Sequence, residues 1–193
     1  MAVRVKKDPA LADALVTRVM YSKWAPVFFQ MSAGRWKTGI QEWKSAKKTA
    51  HSLEDAKVLI SKAWAKQMES PVSRSGLVES LRASSVLHDL LVQKKPGRAY
   101  AETLYYAGLN SESLKDLDPF LQNQVYFEAC VKHFPHTETA KNCYLRLEGA
   151  QTAEYGAFES MPLPLKVRES LSALRKIAQP NEGSWLEWGK DND

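Results

Sequence analysis

Several absences bound what this 193-residue chain is. It carries no G-x-S-x-G, no H-E-x-x-H and no glycine-rich phosphate loop. None of the local motifs that build a nucleophile elbow, a metalloprotease helix or a nucleotide cradle is therefore present. It has no apolar run near the roughly 18 residues that cross a bilayer. Its start, M-A-V-R-V-K-K-D-P, lacks the apolar core of a secretion signal. Isoleucine, valine and threonine are sparse beside leucine and alanine, and no stretch alternates apolar and polar residues over the length of a strand. Only two cysteines occur, Cys130 and Cys143.

What is present is helical periodicity punctuated by proline and glycine. Residues 9–32 carry Leu11, Leu15 and Val19, then Trp24, Val27 and Phe28, with Pro26 expected to kink or break the element. The stretch V-M-Y-S-K-W-A-P-V-F-F-Q-M is the most apolar in the chain and reads as a core helix, with an interface helix as the second reading. Gly34 reads as a turn, and Trp36, Ile40 and Trp43 predict a helix over 36–49. Ser52 is placed to cap the next helix, with Glu54 and Asp55 favourable in its first turn. Leu53, Ala56, Leu59, Ile60, Ala63, Trp64 and Met68 give it the cleanest amphipathic pattern, and Ser70-Pro71 ends it. Leu77, Leu81, Leu87, Leu90 and Leu91 carry another helix, closed by Pro96-Gly97. Tyr100, Leu104, Tyr105 and Leu109 carry the next, ended by Gly108 or Asn110. Leu114, Leu117, Phe120 and Leu121 cover a short piece. The expected fold is all-α, with eight or nine helices joined by short loops into antiparallel helical hairpins.

The sharpest hairpin spans Gln124 to Ala150. Phe127, Cys130, Val131 and Phe134 recur at spacings of three and four and share one face. Pro135 ends that helix because it lacks an N–H and disfavours helix at Phe134 before it. Thr137 can cap the second helix, whose stripe is Ala140, Cys143, Tyr144 and Leu147. Two apolar stripes across a tight turn pack on each other.

Phe127, Cys130 and Pro135 also fall at the spacing of the aromatic, small residue and late proline of a tetratricopeptide (TPR) repeat. The run F-P-H-T-x-x-A-x-x-C-Y resembles TPR-like proteins of the bacterial periplasm, and Pro162 to Ala178 resembles the end of such chains. The likeness spans roughly residues 98–178. The tryptophan, glycine and tyrosine of the first repeat helix are out of register. The resemblance implies a TPR-like α-solenoid or bundle, a non-catalytic adaptor or scaffold, protein partners and a periplasmic location, with an export signal absent from this sequence. Sequence alone gives the cytoplasm as the alternative. The implied organisation is a basic N-terminal helical region over 1–95, a TPR-like region over 96–178 and a tail over 179–193 holding Trp185 and Trp188. Tyr105, Tyr106 and Tyr126 are candidate partner-binding residues, because aromatic side chains favour interfaces.

The net charge of +5 is uneven, +7 over residues 1–70 and −2 over residues 71–193. Arg35, Trp36, Lys37, Trp43, Lys44, Lys47 and Lys48 interleave bases and aromatics. Stacking with phosphate contact uses such residues, so a nucleic-acid-binding helical domain with Lys44, Lys47 and Lys48 as its basic patch is the alternative function. A solvated basic face, or one turned to an acidic protein or lipid head groups, fits the same residues. The spacing Trp36, Ile40, Trp43 is a core spacing, and no helix-turn-helix or RNA-binding motif is readable, which weighs against nucleic acid. Contact with a membrane is expected only through a partner or an anchor.

Cys130, His133, His136 and Cys143 supply zinc-ligand types, but C-x2-H-x2-H-x6-C fits no known finger and His133 points off the cysteine face. No metal and no cofactor is expected. On facing stripes of one hairpin, Cys130 and Cys143 can come within disulfide range; the other reading is two small buried hydrophobes. Ser45-x-x-Lys48 lacks the companion motifs of a serine–lysine enzyme. His51, His88, His133 and His136 do not gather with carboxylates. No catalytic residue is assigned.

Overall fold

The structure is a computed structural model that describes residues 2–46, 49–69, 75–93, 97–115, 122–155 and 163–179. Among these residues it holds eight helices and no strand: α1 (Pro9–Met20), α2 (Val27–Ser45), α3 (Leu53–Glu69), α4 (Leu77–Val92), α5 (Arg98–Ser113), α6 (Gln122–His133), α7 (Glu138–Tyr155) and α8 (Leu165–Ala178). The chain divides into two compact units, Met1–Lys94 and Lys95–Asp193.

In the first unit, α1 packs on α2 and α3 packs on α4, and α2 also meets α4. Asp8 starts α1 by accepting the amide protons of Ala10 and Leu11 at 2.9 and 3.0 Å, ahead of Pro9 in the first turn. Pro26 separates α1 from α2, as its missing N–H and ring demand. Gly34, expected at a turn, instead lies inside α2, which runs unbroken from Val27 through Ile40. A lone glycine costs a helix only about 1 kcal/mol, and packing of Ile40 against Ala12 and Val78 more than offsets that. α3 begins on a reciprocal cap in which Ser52 Oγ accepts from the Asp55 amide at 3.1 Å and Asp55 accepts from the Ser52 amide at 3.1 Å. Gly76 precedes α4 in a left-handed conformation, φ +86°. A Cβ there would lie 2.8 Å from the Ala63 Cα, so only glycine lets α4 start this close to α3.

The apolar pattern of the first unit is partly inverted. Ala12 is buried and Val16 half-buried, while Leu11, Leu15 and Val19 of the expected stripe are exposed. Trp64 and Met68 likewise face solvent, while Ala56, Leu59, Ile60 and Ala63 carry the α3 core. Trp24, Val27 and Phe28 are exposed rather than core.

In the second unit each helix packs on its sequence neighbour, α5 on α6, α6 on α7 and α7 on α8, with further contacts between α5 and α7 and between α6 and α8. Phe127, Cys130 and Val131 of α6 and Ala140, Cys143, Tyr144 and Leu147 of α7 are buried, all from the two facing stripes, and Leu104 and Leu109 of α5 and Leu171 and Leu174 of α8 are buried with them. Gly108 does not end α5, and neither does Asn110. Gly108 lies against the buried Phe127 ring, which occupies the space a side chain would need. Thr137 Oγ1 accepts from the Ala140 amide at 3.1 Å and donates to the Phe134 carbonyl at 2.8 Å, capping α7 and closing the turn at Pro135. His136 takes the left-handed conformation, φ +61°. Its amide donates to the Ile177 carbonyl at 2.8 Å and its Nδ1 lies 2.9 Å from the Gln179 carbonyl. A carbonyl only accepts, so Nδ1 carries the proton in that bond. The turn between α6 and α7 is thereby tied to the end of α8. The expected short piece at Leu117, Phe120 and Leu121, the stops at Pro71 and Pro96, and the tail with Trp185 and Trp188 lie outside the described residues.

Candidate interaction surfaces

The three tyrosines assigned to partner binding all belong to the α5–α6 pair. Tyr105 and Tyr106 follow one another on α5 with ring centroids 5.5 Å apart, and Tyr105 lies 6.3 Å from Phe127. Tyr126 is on α6, next to Phe127 in sequence. All three are half-buried. Tyr105 therefore packs on the unit's own core, and Tyr106 lies edge-on against it.

Cys130 on α6 and Cys143 on α7 face each other with Cα atoms 6.3 Å apart, at disulfide distance, and both are fully buried. The hairpin turn places them there: Pro135 stops α6 five residues after Cys130, and the Thr137 cap fixes the phase of α7. His136 is engaged with α8, and no group of three or more His, Cys, Asp or Glu side chains gathers around a common point among the described residues. Nearby, Tyr144 donates to Glu148 at 2.7 Å. Burial pushes the Tyr144 phenol up to about 12, and the Glu148 carboxylate beside it acts in the same direction. Burial also raises the Glu112 carboxyl above its ordinary value, opposed by Arg146 and Lys115.

Of the basic patch, Lys44 pairs with Asp13 at 3.0 Å across α1 and α2. That hydrogen bond holds the Asp13 carboxyl below its usual value. Lys47 and Lys48 lie outside the described residues. Trp36 and Trp43 are half-buried against Ile40, and the Arg82 guanidinium stacks over Trp43 at 5.1 Å. A cleft of about 280 Å³ opens beside this stack, lined among others by Lys7, Lys44, His51, Arg82 and Ser85. Lys7 is paired there with Asp89, so its charge is matched within the cleft.

Sequence reasoning missed an ion cluster built on one buried carboxylate. Lys66 of α3 bonds Glu42 of α2 at 2.8 Å and Glu79 of α4 at 2.7 Å. Glu79 is only 2% exposed. Burial pulls Lys66 down, but the hydrogen bonds it donates to Glu42 and Glu79 outweigh this and leave the ammonium above its ordinary value. Burial lowers Arg82, against the attraction of Glu79 and Glu42. Two cations and two carboxylates thus balance where α2, α3 and α4 meet. The partners are 13 and 24 residues from Lys66, and no local pattern announces them.

The tip of the α1–α2 hairpin, read first as a core helix and second as an interface helix, is not core. Tyr21, Trp24, Val27, Phe28, Phe29 and Met31 are each more than half exposed, Trp24 at 95%. The turn is a built one: the Gln30 side chain donates to the Ser22 and Ala25 carbonyls at 3.1 and 2.8 Å. One sequence signal was available. Val27, Phe28 and Phe29 are consecutive, and consecutive helical residues are about 100° apart, so the three cannot all face one core.

No family model, no curated protein and no solved structure matches this chain. What the residues define is an all-α protein of two helical-hairpin units.

Proposed function

We propose that this chain is a non-catalytic, TPR-like adaptor that binds protein partners in a bacterial envelope, using the α5–α8 unit. The observation that carries this reading is the packing order of that unit. Each helix contacts the next, and α5–α7 and α6–α8 contacts add a second-neighbour layer. Successive hairpins stacked this way make an extended surface that repeat proteins use for binding. Two buried cysteines at disulfide distance fit an oxidising compartment. Tyr106 and Tyr126 are half-buried at the α5–α6 pair, where an aromatic edge can anchor a partner.

The test is a photo-crosslinking amino acid placed singly at Tyr106 and Tyr126 in the chain expressed in its native cell. Both positions should give adducts of the same protein. Adducts at neither position, with a wild-type melt, would refute the assignment of this surface.

A further inference from the structure

We propose that the α1–α2 tip is a membrane-docking element that seats in the head-group region of an anionic bilayer. This goes beyond the adaptor reading and rests on the first unit alone.

The tip presents aromatic and aliphatic side chains to solvent: Trp24 at the turn, and Phe28, Phe29 and Met31 in the first two turns of α2, are each more than half exposed. Isolated exposed hydrophobes are ordinary, but such a cluster at one end of a hairpin is an interaction site. The charge around it selects the occupant. Between Asp13 and Glu42 the sequence has no acidic residue, yet it has Arg18, Lys23, Arg35 and Lys37. Arg18, Lys23 and Arg35 are exposed. Lys37 reaches back to Thr17 Oγ1 at 3.0 Å and braces the hairpin.

Depth agrees with charge. Arg35 follows Phe28 by seven residues, which at 1.5 Å per residue sets it about 10 Å behind the tip. Interfacial elements bury their apolar side about 5–10 Å into the head-group and acyl boundary. The rings would then lie at that boundary while Arg35 lies level with lipid phosphates. Tryptophan suits this position, with an apolar body and a polar N–H. No described helix is long and apolar enough to cross a membrane, so the element lies at the surface. The Gln30 bonds to Ser22 and Ala25 hold the turn in shape before docking, which lowers the ordering cost of binding.

The test is co-sedimentation of the full chain with phosphatidylcholine vesicles and with mixed phosphatidylcholine–phosphatidylglycerol vesicles. Binding is expected on the anionic vesicles alone, weakening as salt rises. Trp24→Ala/Phe28→Ala should lower it at least about tenfold. Lys23→Glu/Arg35→Glu should lower it at least about twentyfold, because each surface cation contributes roughly fivefold. These side chains are exposed, so the variants should melt as the wild type does, which separates lost docking from lost folding. No sedimentation with anionic vesicles, equal sedimentation with neutral ones, or indifference to either variant overturns the proposal. Concentration-dependent self-association that Trp24→Ala/Phe28→Ala abolishes, without vesicle binding, would overturn it in favour of an interface between copies of this chain.

Discussion

Replacing Gly108 by alanine sets two opposed effects against each other. Alanine is the better helix former by about 1 kcal/mol, and Gly108 lies inside α5. But its Cβ would stand 2.6 Å from Phe127 Cδ1 and Cζ, where ordinary contact is 3.4–4 Å. The ring must retreat by roughly 1 Å, and Phe127 is wholly buried. Overpacking of this kind costs about 1–3 kcal/mol. The upper part of that range applies, since several atoms of an enclosed ring are struck at once. Gly108→Ala is therefore expected to lose about 1–2 kcal/mol net. For a unit near 100 residues, that is a fall in Tm of roughly 5–15 °C. Gly149 is the control, because a Cβ there meets nothing within 4 Å. Gly149→Ala should gain up to about 1 kcal/mol. Urea denaturation followed by circular dichroism should move the two midpoints in opposite directions with unchanged slopes. Adding Phe127→Leu should recover part of the Gly108→Ala loss. A Gly108→Ala protein as stable as the wild type would refute the packing of α5 on α6 described above.

Lys66→Met should cost about 3–5 kcal/mol by leaving Glu79 buried without its closest cation. Lys66→Met/Glu79→Leu should restore much of that loss; equal instability of single and double variants in urea would contradict the cluster. Tyr144 has a folded pKa raised to about 12 against an ordinary 10, so the native state holds its proton more tightly. Its stability contribution is present below pH 10 and is lost between pH 10 and about 12. Tyr144→Phe should flatten that part of the stability–pH curve, and an unchanged curve would count against the raised value. Cys130→Ser/Cys143→Ser should fold with its helices intact by circular dichroism. Relative to the bridged form it should lose up to about 3 kcal/mol, the chain-entropy value for a loop of this length.

The parts of the fold legible in the sequence are those where local chemistry and tertiary packing agree. Pro135 and Thr137 set the α6–α7 turn, and the stripes on either side are the core that forms. Ser52 and Asp55 fix the start of α3 in the same way. Illegible features depend on partners distant in sequence. Gly34 and Gly108 read as helix stops, but helices run through both, and at Gly108 the absent side chain is what Phe127 requires. Leu11, Leu15 and Val19 have helical spacing, yet the small Ala12 faces Ile40, because close approach of α1 to α2 favours a small residue. Trp24 to Met31 read as core on hydrophobicity alone, which does not say whether a partner for that face lies in the same chain. Glu79 looks like any surface carboxylate until α4 buries it and Lys66 of α3 reaches it. Of the candidate binding residues, the sequence placed Tyr105, Tyr106 and Tyr126 on the helices that pair, but not the packing of the Tyr105 ring on Phe127 and Tyr106.

The envelope assignment meets its most direct test in the redox state of the two cysteines. Protein isolated from its native cell is denatured with an alkylating reagent present, and its intact mass and Cys130- and Cys143-containing peptides are measured. The account predicts a single peptide pair linked through Cys130 and Cys143 and no alkylated thiol. Two alkylated cysteines would contradict it, leaving Cys130 and Cys143 as packing residues of a reducing compartment.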